Sequence, residues 1–155
     1  QQVSHNPALR SVSIGSTMAF AQFWLMPRLH DFWSAHQDIV IDHMGRPDVT
    51  QPVDGHGFEL FVRLMREHPN VWSKVSCPER LSRLGPPGYG DFVPFARRLV
   101  EQFPDRVLWG TDFPHPNSTH EADEADLVDL VSKIAPDPAV QKKLLVDNPA
   151  KLYGF

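Results

Sequence analysis

One cysteine in 155 residues, Cys77, excludes an internal disulfide and a four-thiolate zinc site. Such cysteine poverty suits a reducing compartment, and the cytoplasm is the expected location. No run of about 18 apolar residues is present, so no segment reads as membrane-spanning. The 15 Lys and Arg residues are outnumbered by 19 Asp and Glu and are mixed among them along the chain. Without a basic stripe to neutralise phosphates, nucleic acid is not an expected partner. The opening residues, Gln1-Gln2-Val3-Ser4-His5, lack both an initiator Met and the basic-then-apolar profile of a signal peptide, and they read as a chain that starts in the middle. The 15 prolines form no low-complexity run; most sit singly between apolar-periodic segments and punctuate them.

What is present is a threefold alternation. From Asp38 onward a short apolar run ends in polar residues, a loop follows, and then comes a longer segment with helical spacing. The first run is Ile39-Val40-Ile41-Asp42-His43, with a helix expected over residues 57–68, where Phe58, Phe61, Val62 and Met65 share one face. The second is Val71-Trp72-Ser73-Lys74-Val75-Ser76, followed by a long Gly- and Pro-rich loop and a helix over 92–103. The third is Arg106-Val107-Leu108-Trp109-Gly110-Thr111-Asp112, with helices over 122–134 and 139–146 after it. Strands separated by helices at this spacing imply parallel pairing, because a crossover helix returns the chain to the same edge. Three such units are not a closed barrel; a (β/α)₈ barrel takes about 250 residues, so about half of one is present by length if that is the parent fold. The first 37 residues fit less well, with a strand expected near 9–14 and an apolar helix over 18–33, interrupted by Pro27.

Ligands of parallel α/β sheets sit beyond the carboxyl ends of the strands. Those ends are polar here: Asp42-His43 with Arg46, Ser76-Cys77 with Arg80, and Thr111-Asp112 with His115. Any one of these could be an ordinary solvated strand end, but together they favour a site. Asp112 is the strongest candidate, a carboxylate on a stiff loop before two prolines. His43 could polarise a carbonyl or ligate a metal, and otherwise reads as a hydrogen-bonded core histidine. Arg46 and Arg80 suit bidentate binding of a dianion, or else pair with surface acids. Cys77 has no evident base beside it and reads as a small buried hydrophobe rather than a nucleophile. His5, His30, His36, His56, His68 and His120 show no H-x-H or H-E-x-x-H spacing.

In order, the segments D-H-M-G-R-P (42–47), S-C-P-E-R-L (76–81) and W-G-T-D-F-P-H-P (109–116), with the ending N-P-A-K-L-Y-G-F, resemble the amidohydrolase-related family. Within it they are most similar to the subgroup of lactonases that open 2-pyrone-4,6-dicarboxylate. The resemblance covers residues 38–155 and implies the C-terminal half of a TIM-type (β/α)₈ barrel of α/β class, about three βα units plus a terminal helix. Residues 1–37 stand apart as a poorly matched segment.

The resemblance also implies roles. Asp112, after the eighth strand, would be the base for water, and His43, after the sixth, would polarise the lactone carbonyl. Arg46 and Arg80 would bind substrate carboxylates, with Ser76 and His115 as further contacts. The family's histidine pair after its first strand would lie upstream of this chain, and the nearest equivalent of its arginine-bearing segment is Ser11-Val12-Ser13-Ile14-Gly15-Ser16. No cofactor is implied for the lactonase subgroup, although many amidohydrolases place zinc or manganese on the same Asp and His. The expected activity is hydrolysis of a dicarboxylated lactone. A metal-dependent decarboxylase or hydratase of the same superfamily and a catalytically silent fragment are the alternatives.

Overall fold

The structure, a computed structural model, describes residues 38–118 and 120–154. The strand and helix expected within residues 1–37 lie outside them.

Three strands form a parallel sheet in the order β1 (Ile39–Ile41), β2 (Val71–Val75), β3 (Val107–Trp109). Register runs Val40 to Trp72 and Ser73 to Val107, so residues alternate strictly between the two faces. Ile39, Ile41, Val71, Val75, Val107 and Trp109 turn to the main core, beneath α1 (His56–Glu67), α3 (Val93–Gln102) and α4 (Glu124–Ile134). Val40, Trp72 and Leu108 turn to the other face, where they meet Leu152 of the terminal helix α6 (Asn148–Tyr153).

The helices form where apolar spacing asked for them. Phe58, Phe61, Val62 and Met65 of α1 are buried, with Leu64 beside them. The Phe58 ring meets Phe95 of α3 edge-on at 4.9 Å. Each such side chain contributes about 1.5–3 kcal/mol by leaving water. Asp123 caps α4 and Asp137 caps α5 (Pro138–Lys142), each accepting from the backbone N–H two residues on, at 2.7 and 2.8 Å. The helix expected over 139–146 is divided: α5 passes into a π-helical turn, Lys143–Asp147, before α6. Asn148, buried there, donates to the carbonyls of Pro104 and Val107 at 2.8 and 2.7 Å and ties the terminal helix to the start of β3.

Two further elements depart from the expected pattern. A four-residue helix, α2 (Pro78–Leu81), opens the second loop, too short for periodicity to reveal. The first strand also ends earlier than expected, because Asp42–Gly45 curl into a tight turn. His43, Met44, Gly45 and Arg46 all have positive φ there, between 55 and 69°. Burial of Met44 and close approach to Phe61 hold the turn: a Cβ on Gly45 would lie 3.0 Å from that ring.

No helix among the described residues is long and apolar enough to cross a membrane.

Candidate active site

Just past each strand the chain enters the left-handed region at a residue other than glycine: His43 after β1, Cys77 after β2 and Asp112 after β3. Each such residue costs about 1–2 kcal/mol. Strain of this kind persists where surrounding contacts impose it, and it concentrates at functional sites. One potential ligand atom from each of these residues lies within 4.8 Å of the others. Three separate strand ends therefore aim side chains at one small volume.

Around that volume the groups are already partnered. Ser76 Oγ lies 2.8 Å from His43 Nδ1, and His43 Nε2 lies 3.8 Å from Asp112 Oδ1, too far for a hydrogen bond. Arg80 donates from Nη2 to Asp112 Oδ2 at 3.2 Å, from Nε to Cys77 Sγ at 2.9 Å and from Nη1 to the Pro116 carbonyl at 3.0 Å. Burial holds the His43 pKa below its ordinary value, against the pull of the Asp112 and Asp42 charges, with Arg80 and Lys74 adding to the depression. Burial, reinforced by the charge of Glu79, pushes the Cys77 thiol up to about 12. Cys77 is therefore a protonated, buried thiol, as its lack of a base suggested.

The structure brings together His43, Ser76, Arg80 and Asp112. Arg46 stands apart: it is exposed, and its guanidinium pairs with none of the described residues. His115 turns both ring nitrogens to carboxylates, with Nε2 2.8 Å from Glu124 Oε1 and Nδ1 3.5 Å from Glu79 Oε1.

Three further groups escaped sequence reasoning. Lys74 pairs with Asp42 at 2.7 Å beside the site. It lies in register with Leu108, on the face opposite the main core, and its polarity between Trp72 and Ser76 at spacing two was the available signal. Glu79, fully buried, had no signal, since a lone Glu in a loop reads as surface. Cys77, left-handed in backbone, contributes as an acceptor for Arg80.

A metal centre would draw on His43 Nε2 and Asp112 Oδ1. Cys77 Sγ completes the trio within 4.8 Å; burial and the Glu79 charge hold its thiol pKa up and it accepts from Arg80 Nε, so a metal there would have to displace the thiol proton. The three donors match in number what catalytic zinc takes from protein, while Arg80 already brings positive charge to Asp112.

A family model described as Amidohydrolase matches residues 4–155. The 2-pyrone-4,6-dicarboxylate hydrolase of Comamonas testosteroni is 59% identical over 137 residues, which cover 83% of this chain and 45% of that protein. A 4-sulfomuconolactone hydrolase of Rhizobium radiobacter is 42% identical over 123 residues, covering 77% of this chain and 40% of the relative. Among solved structures, a probable 2-pyrone-4,6-dicarboxylic acid hydrolase of Acinetobacter baumannii with citric acid bound matches with a TM-score of 0.68 at 26% identity, over 85% of this chain and 49% of that one. The chain thus spans less than half the length of the curated relatives it matches.

Proposed function

Because the chain belongs to the amidohydrolase family, we propose that it carries the water-activating half of a lactone hydrolase whose substrate is a dicarboxylated pyrone such as 2-pyrone-4,6-dicarboxylate. In this reading residues 38–155 are the last three βα units of a TIM-type barrel and its terminal helix. The parallel β1-β2-β3 sheet with helices over one face, and the likeness to amidohydrolase structures, support it.

The observation that carries the proposal is the convergence of His43, Ser76, Arg80 and Asp112 beyond the carboxyl ends of three neighbouring strands. Asp112 takes a proton from water while the water oxygen bonds to the lactone carbonyl carbon. Arg80 fixes one carboxylate oxygen, leaving Oδ1 directed toward His43 for that task. In the tautomer that accepts from Ser76 Oγ at Nδ1, neutral His43 carries its proton on Nε2 and offers it to the carbonyl oxygen as negative charge develops. The depressed His43 pKa suits this neutral form. Collapse of the tetrahedral intermediate breaks the ring C–O bond, and the departing enol oxygen receives the proton. Arg46, exposed and unpaired among the described residues, binds a substrate carboxylate that the reaction does not touch. Arg80 serves substrate through its remaining donor capacity and through Asp112.

Mixing the chain with the N-terminal half of the Comamonas testosteroni relative tests this directly. Consumption of 2-pyrone-4,6-dicarboxylate is expected with the pair, and an assembled pair without turnover would overturn the reading.

A further inference from the structure

We propose that Glu79 is a positioning residue for Asp112, acting through His115, so that helix α2 grips the loop after β3 from two sides. The inference rests on the hydrolase reading of Asp112 above. Glu79 and Arg80 are consecutive in α2, so their side chains leave the helix about 100° apart. Arg80 takes the near side of the loop, through the Asp112 carboxylate and the Pro116 carbonyl. Glu79 takes the far side, with Oε1 3.5 Å from His115 Nδ1.

His115 then passes the grip on. Its Nε2 lies 2.8 Å from Glu124 in the first turn of α4, and its backbone N–H donates to the Asp112 carbonyl at 2.7 Å. One ring thus bridges two helices while its own backbone closes the turn that begins at Asp112. The turn needs such support: Asp112, His115 and Asn117 have φ of 71, 58 and 59°, and none is glycine. A loop of this kind, left to itself, relaxes to ordinary backbone angles and carries the Asp112 carboxylate away from His43.

Glu79 suits the role because it is enclosed. At 0% exposure its carboxylate has no bulk water to exchange with, and a buried carboxylate gains from a cationic or hydrogen-bonding neighbour far more than a surface one. Being enclosed, it acts on the reaction through His115 and not by touching substrate. Glu124, half exposed, completes the bridge and can be changed with little risk to folding.

Glu79→Gln keeps the volume and removes the charge. In the complemented enzyme it is expected to lower kcat about 10- to 100-fold with KM within about twofold of wild type. In the full 155-residue chain alone, hydrogen exchange at residues 112–117 is expected to accelerate while the sheet stays protected. Unchanged protection of that loop overturns the proposal whatever the turnover, and so does a rise in KM at constant kcat. If Glu79→Gln prevents folding, Glu124→Ala decides: a lowered kcat at an unchanged melting temperature sustains the bridge, and an unchanged kcat overturns it. A wild-type pair that consumes no pyrone sinks the hydrolase reading alone, since loop exchange still reports the grip.

Discussion

Arg80 and Asp112, 32 residues apart in the chain, share one contact: Nη2 of the arginine lies 3.2 Å from Oδ2 of the aspartate. Both side chains are largely enclosed, so this pair is more ordered than a surface ion pair and it aims the carboxylate. The same guanidinium holds Cys77 Sγ and the Pro116 carbonyl, which makes it a junction between the second and third strand ends.

Asp112→Asn should remove at least about a hundredfold of lactone hydrolysis, since the amide cannot accept the proton of water. Dicarboxylate binding, measured by calorimetry on the complemented enzyme, should be nearly unchanged. Turnover close to wild type would exclude Asp112 as the base.

Two arginines should part company. Arg46→Met removes a charge-assisted contact worth about 1.5–3 kcal/mol, so KM should rise about 10- to 100-fold at a constant kcat. Arg80→Met should depress kcat as well, because it frees the Asp112 carboxylate. Steady-state kinetics on both variants would expose a wrong assignment as identical profiles.

Titration should weaken the fold from opposite directions at two histidines. His115 has its pKa raised: burial opposes this, but the Glu124 hydrogen bond and the Glu79 charge prevail. Its stabilisation is complete below the ordinary value of 6.5 and is lost as pH climbs through the raised folded value. His43 is depressed chiefly by burial, so a penalty appears as pH falls below 6.5 and is complete below the folded value. Melting temperatures across this range should therefore decline on both flanks, and His115→Gln should flatten the alkaline one.

The chain alone should lack measurable lactonase activity and should associate. Among the described residues the sheet ends at β1 and β3, each with a row of unpaired backbone groups, and the face bearing Val40, Trp72 and Leu108 meets only Leu152 as a buried neighbour. Size-exclusion chromatography on the 155-residue chain decides it, and a monodisperse monomer with full turnover would overturn the half-barrel proposal.

The βα alternation, the parallel pairing and the helix faces of Phe58, Phe61, Val62 and Met65 were legible in sequence, because period and punctuation are local properties. So was the polar rim, since strand ends in a parallel sheet converge whatever the loops do. The finer placement was not local. Left-handed turns at His43, Cys77 and Asp112 are unfavourable for these residues in isolation, so only packing, such as burial of Met44 beneath α1, could impose them. For the same reason no pattern foretold that Glu79 would be enclosed or that His115 would turn to Glu79 and Glu124. Sequence by itself determined which chemical groups reach the end of the sheet. Tertiary structure decided which of them touch, because burial sets the cost of leaving a charge unpaired, and each group takes the partner that the surrounding packing leaves within reach.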